Sequence, residues 1–133
     1  MTTDTLTEHF ATSEFTCHDG TPVPPELMDN LRKLCVELEK IRTRLGKPIV
    51  VMSGYRSPAW NAKRKGAGKS EHMNAKAIDM QVPGMTPLQV YEVVLSMIRE
   101  GLLYNGGVGI YDEWVHYDIG GKGRRWDKRT VHA

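Results

Sequence analysis

Residues 77–82 read Ala-Ile-Asp-Met-Gln-Val and are closed by Pro83-Gly84. The run has strand length and strand composition, and Pro-Gly ends it. An aspartate inside such a run is expensive, because a desolvated carboxylate costs several kcal/mol unless it is paired or bound to a metal. The stretch therefore predicts a buried strand around a committed Asp79. Downstream, Thr86-Pro87-Leu88-Gln89 places a capping hydroxyl, a proline at the first helical position and a glutamine at the third, which is a capping box. The helix it opens runs to about Glu100, stops at Gly101 and buries Val90, Val93, Val94, Met97 and Ile98. Gly106–Tyr111 and Val115–Ile119 follow as two strands joined at Asp112-Glu113. Upstream, Ile49–Met52 reads as another buried strand. Before it, Leu27, Leu31, Leu34, Leu38, Ile41 and Leu45 recur at spacings of four and three, one apolar face of a helix over Glu26–Leu45. Pro24 and Pro25 lead into that helix, Arg42 and Arg44 complement its C-terminal dipole, and Gly46 ends it. The pattern is α+β: a small single domain over residues 1–133, with a central, mostly antiparallel sheet and two main helices.

The flanks are less regular. Residues 1–22 read as an ordered arm anchored by Phe10, Phe15 and Cys17, residues 59–70 as a basic loop with a helical turn, and residues 121–133 as a basic C-terminal tail. With 133 residues, 40% apolar and 26% charged, the chain can bury one core and is not disordered. No apolar run approaches the ~18 residues of a membrane span. Met1–Phe10 has neither a basic nor an apolar signal-peptide region, so no Sec signal is expected. Cys17 and Cys35 form no C-x-x-C pair and are expected as free thiols of a reducing compartment. Residues 1–30 carry six acids and no Lys or Arg, whereas the remainder carries all 18 basic residues, five of them in Lys122–Arg129. A nucleic-acid interface through that segment has only Trp126 for stacking and matches no known module; a solvated surface is the simpler account.

Three segments hold residues poorly explained by packing: Ser53-Gly54-Tyr55-Arg56-Ser57, Ser70-Glu71-His72 running to Asp79, and Glu113-Trp114-Val115-His116-Tyr117-Asp118. Strand alternation puts Trp114, His116 and Asp118 on one face and Val115, Tyr117 and Ile119 on the other. If the second face is core, His116 points into a cleft, where His72, Asp79 and His116 could converge as two imidazoles and a carboxylate. That set suits a catalytic zinc with an open position. Spacing alone favours a core histidine bonded to a buried aspartate over a metal site, and no H-E-x-x-H helix is present.

In combination the segments resemble the M15 metallopeptidases, which include zinc D-alanyl-D-alanine carboxypeptidases and dipeptidases and phage L-alanyl-D-glutamate endolysins. The similarity rests on S-G-Y-R-S, S-x-H followed by A-x-D, G-V-G-I-Y and E-W-V-H-Y-D. It extends to S-E-F-x-C-H-D-G and P-P-E-L of the small subfamily common in phages. The resemblance implies the M15, hedgehog-type zinc peptidase fold and one zinc ion per chain on His72, Asp79 and His116. It also implies Glu113 as the catalytic carboxylate, with Asp112 as the runner-up, and Arg56 as a group that binds substrate and stabilises the oxyanion. Ser70 becomes a peptide contact. From the residues themselves, Tyr55 and Trp114 are candidates to line a cleft, although aromatics are more often core, and Asp118 reads either as a group that orients a ligand or a substrate amine or as purely structural. His9, His18 and His132 are set aside as ligands. The family commonly has glycine where this chain has Ala75, a strain of order 1 kcal/mol if that position needs φ > 0. The implied activity is hydrolysis of peptidoglycan stem peptides by a monomer without nucleic-acid or membrane partners. Either a D-Ala-D-Ala carboxypeptidase or an L-Ala–D-Glu endopeptidase would fit. The chain would stay cytoplasmic until released as a phage or prophage lysin, or would be virion-associated. The alternative is a catalytically silent, zinc-stabilised module that binds cell wall.

Overall fold

The computed structural model describes residues 4–64 and 70–130; the end of the 59–70 loop and His132 lie outside the described residues. Strands β1 (Thr5–Thr7) and β2 (Phe10–Ala11) form a small antiparallel sheet, followed by a 3-10 turn at Thr12–Phe15. Helix α1 spans Met28–Leu45 and is preceded by a 3-10 turn at Pro25–Leu27. Then come β3 (Val50–Ser53), the short helix α2 (Pro58–Lys63), a 3-10 turn at Glu71–Asn74 and β4 (Ala77–Gln81). Helix α3 (Pro87–Arg99) leads into β5 (Gly107–Ile110), β6 (Val115–Asp118) and β7 (Arg124–Asp127). The main sheet has the order β3-β4-β6-β5-β7, antiparallel except for the β5–β7 pair. Among the described residues no helix is long and apolar enough to cross a membrane.

The helices bury the stripes their periodicity predicts. Leu31, Leu34, Leu38 and Ile41 of α1 and Val90, Val94 and Met97 of α3 are buried, with Leu27, Leu45, Val93 and Ile98 packed at the margin. They meet one face of the sheet through Ile78, Met80, Val108, Val115 and Tyr117. The capping box at Thr86 and Gln89 is present, and Gly46 closes α1 in the left-handed conformation. Both cysteines are free and buried, and burial pushes the Cys35 thiol up to about 12.

Two expectations are corrected, and the expected anchoring of the N-terminal arm is seen. The run Ile49–Met52 is not a buried strand: β3 is an edge, and Val50 and Met52 are 42% and 37% exposed. The basic tail is not simply a tail, because its residues 124–127 add β7 to the opposite edge. The N-terminal arm is built into the molecule. Phe10 and Phe15 are buried, and the Phe15 carbonyl accepts a hydrogen bond from the Tyr55 N–H at 2.9 Å. The arm thus braces the segment that carries Arg56.

Candidate metal centre

The face of the sheet opposite the helices holds the chemistry. Asp79 on β4 is directly opposite His116 on β6, and Gly109 on β5 is opposite His116 on its other side. Alternation places Asp118 beside Ala77 and Gly107 on this same face. His72 arrives from the turn before β4. Ser70 Oγ caps that turn by accepting from the His72 N–H at 3.2 Å. Ala75 ends it at φ 56°, the one described non-glycine residue with positive φ. Alanine tolerates this conformation at a cost of about 1 kcal/mol. The Lys76 N–H then bonds the Glu71 carbonyl, closing the turn that holds His72.

His72, Asp79 and His116 are 2%, 5% and 7% exposed, and their ligand atoms all lie within 4.8 Å of one another. His72 Nδ1 is 2.7 Å from the Gly54 carbonyl oxygen, which can only accept, so Nδ1 carries the hydrogen. Nε2 therefore presents a lone pair. It is buried without a hydrogen-bond partner, 3.4 Å from Asp79 Oδ1. Two acceptors facing each other in a buried site are unfavourable unless a cation lies between them. His116 completes the set: Nε2 is 2.6 Å from Asp118 Oδ2, and Nδ1 faces Asp79 Oδ1 at 3.1 Å. Burial alone would raise the Asp79 pKa, but its hydrogen bond with His116 and the surrounding polar groups outweigh it and hold the carboxyl below the usual carboxylate range. Burial likewise disfavours the charged form of His116, and the two flanking carboxylates more than reverse this, raising its pKa. The nitrogen, nitrogen and oxygen donors, with an orphaned imidazole lone pair among them, fit a divalent metal such as zinc.

The groups behind His116 explain the alternating glycines of the G-V-G-I strand. Asp118 is fully buried and accepts from the Gly107 and Gly120 N–H groups at 3.1 and 3.0 Å and from the Arg124 guanidinium. It is built to orient His116. Trp126 packs on His116 with ring centroids 4.9 Å apart, and its indole N–H donates to the Tyr111 hydroxyl at 2.9 Å. Tyr111 in turn stacks on Trp114 at 5.0 Å. A Cβ at Gly107 would overlap Asp118 and Arg124, and one at Gly109 would overlap the Trp126 indole. Gly109→Ala is therefore expected to displace Trp126, costing about 1–3 kcal/mol as overpacking, or a Tm roughly 5–10 °C lower. Thermal melts together with the near-ultraviolet tryptophan signal check this.

Arg56 donates to Asp79 Oδ2 at 3.2 Å, and its own N–H bonds the His72 carbonyl at 3.1 Å. Beside them opens a cleft of about 320 Å³ lined by Asp79, Arg56, Trp114, Trp60, Arg64 and His18, among others. Tyr55 is not in its wall: it lies in the apolar core at 5% exposure, and burial raises its hydroxyl pKa. Glu113 is exposed in the turn before β6. Its carbonyl accepts from Gln81 Nε2 at 2.8 Å, and it lines a different recess of about 420 Å³ with Gln81 and Val82, which shares no lining residue with the cleft. No hydrogen bond or ion pair joins its carboxylate to the three clustered residues. The Asp112 carboxylate is occupied by the N–H and hydroxyl of Thr130 at 2.9 and 2.8 Å. His9 is paired with Glu39 at 2.7 Å, away from the cluster. His18, also set aside on sequence, reaches the cleft because the folded arm brings it to the Met52 carbonyl at 2.9 Å. Arg124 and Trp126 had one legible signal, the two-residue period of R-x-W, which places both on one face of a strand.

The family model described as Peptidase M15 matches residues 5–118. A stretch of 90 residues is 38% identical to the probable peptidoglycan L,D-endopeptidase MepK of Haemophilus influenzae, covering 60% of this chain. The match spans 45% of that relative's length. With an α+β fold, a buried His-Asp-His cluster and a family match across most of its length, the chain belongs to the peptidase M15 family.

Proposed function

We propose that this chain is a zinc-dependent endopeptidase acting on the stem peptides of peptidoglycan. The observation that carries the proposal is the buried, unpartnered Nε2 of His72, aimed at Asp79 and flanked by His116 at the side of an open cleft. The named activity of the Haemophilus influenzae relative supports the choice of bond class, an internal peptide bond in the wall.

His72 through Nε2, Asp79 through its carboxylate and His116 through Nδ1 would hold the ion. Zinc bound there would act as a Lewis acid on a peptide carbonyl and acidify water towards neutral pH. The chain's own groups do the rest. The Gly54 carbonyl fixes the His72 tautomer, and Asp118 fixes the His116 ring with Nδ1 facing inward. Arg56 stands beside Asp79 at the cleft, where its permanent charge and planar fork suit the oxygen of a carbonyl under attack. Glu113, next in sequence to the cleft-lining Trp114 and with no partner for its carboxylate among the described residues, takes the proton from the attacking water and returns it to the departing amine. Ser70 contributes by setting the His72 turn.

Digestion of purified peptidoglycan, with products weighed by mass spectrometry, tests the proposal. New amino termini inside the stem peptide, lost on chelation and restored by zinc, are expected. Release of a single terminal D-alanine would make the enzyme a carboxypeptidase instead. Zinc-loaded protein that binds wall but liberates no amine would support the silent-module alternative.

A further inference from the structure

The cleft beside Asp79 carries more positive charge than holding a metal requires. Asp79 is the single carboxylate among the described residues lining it, and both its oxygens are engaged, Oδ1 by His116 and Oδ2 by Arg56. Arg64 lines the same cleft and has no carboxylate within ion-pair distance among the described residues. Its position is defined. Ser57 caps α2 by accepting from the Trp60 N–H at 3.1 Å, and the Arg64 N–H bonds the Trp60 carbonyl at 3.0 Å as the helix ends. The guanidinium carbon then lies 5.7 Å from the Trp60 ring centroid. His18 meets the same indole edge-on, with centroids 6.0 Å apart. A guanidinium held over an indole at cation–π distance can still turn an N–H edge to the cleft, and that edge matches a carboxylate in a two-point bond. Every charge-bearing group along this wall other than Asp79 is cationic or an imidazole.

We propose that Arg64, presented by Trp60, forms a carboxylate subsite, so that the enzyme prefers peptides bearing a free side carboxylate near the scissile bond over the same peptides with that group amidated. The inference rests on the peptidase reading and names the substrate feature that its cleft selects. Arg64 is a specificity residue here; it is not assigned a part in bond cleavage.

The experiment uses two matched stem peptides, carboxylate and carboxamide, each also made in a reduced-amide form that cannot be hydrolysed. Calorimetric binding of the reduced-amide pair to the zinc-loaded protein is expected to favour the carboxylate by about tenfold. Arg64→Gln should remove the preference by weakening the carboxylate form alone, and Arg64→Lys should keep part of it. Hydrolysis of the parent peptides should follow the same order through KM, with kcat little changed. Equal binding of the two forms by wild type, or a preference that survives Arg64→Gln, would overturn the subsite. Failure of wild type to hydrolyse either peptide would count against the peptidase proposal, while the binding measurements decide the subsite independently.

Discussion

His116→Ala is expected to lose its zinc and, with it, turnover on stem peptides by roughly a thousandfold or more. Lewis-acid assistance supplies several kcal/mol of transition-state stabilisation, and each 1.36 kcal/mol is a factor of about ten. The substitution removes the Nδ1 donor opposite Asp79 and strands Asp118, which would keep only Arg124 and its two backbone N–H partners. Zinc content by elemental analysis and hydrolysis by amine release are read on the same preparation. Because the donors join two strands and a turn, zinc should raise the Tm of wild type and leave that of His116→Ala unchanged. His9→Ala is the control: that ring pairs with Glu39 on α1, so zinc content should not move. A His116→Ala protein that retains one zinc and full turnover would remove His116 from the centre.

Glu113→Gln keeps the side chain's size and removes its ability to take a proton at neutral pH. Turnover is expected to fall by about a hundredfold or more, the lower range for losing general acid–base help. Zinc content and Tm should stay at wild-type values, since Glu113 is exposed and contributes only its backbone carbonyl to a hydrogen bond, from Gln81. Asp112→Asn should behave in the opposite way. Its carboxylate ties down Thr130 after β7, so stability should fall slightly and turnover should hold. A fully active Glu113→Gln alongside an inactive Asp112→Asn would move the proton-transfer role to Asp112.

Much of this molecule is legible in the sequence where local rules and tertiary demands agree. Helices α1 and α3 are marked by apolar spacing, by Pro at the start, and by glycine beyond the end; their observed spans follow those signals. Asp79 stands out because a carboxylate inside an apolar strand needs a partner, and it has two, His116 and Arg56, with the His72 lone pair facing it. Ala75 stands out only against the glycine of the family's pattern, and its φ is positive. The misread parts depend on what lies beside them in space. Ile49–Met52 has the composition of a buried strand, yet β3 is an edge of the sheet, and Val50 and Met52 are exposed there. Residues 124–127 read as a solvated basic segment because Arg-Arg-Trp-Asp has no apolar face. Their strand exists through parallel pairing with β5, where Gly107 and Gly109 leave room for Arg124 and Trp126. Tyr55 adjoins Arg56 in sequence, but the Phe15 carbonyl holds its backbone and turns the ring into the core.

The central claim is that one zinc ion sits between His72, Asp79 and His116. Anomalous scattering from a crystal of zinc-loaded protein, recorded on both sides of the zinc absorption edge, tests it most directly. One peak is expected within about 2.0–2.2 Å of His72 Nε2, an Asp79 carboxylate oxygen and His116 Nδ1, the ordinary zinc–ligand range. A zinc peak bound elsewhere, or none at these three side chains in zinc-saturated crystals, would contradict the metal centre.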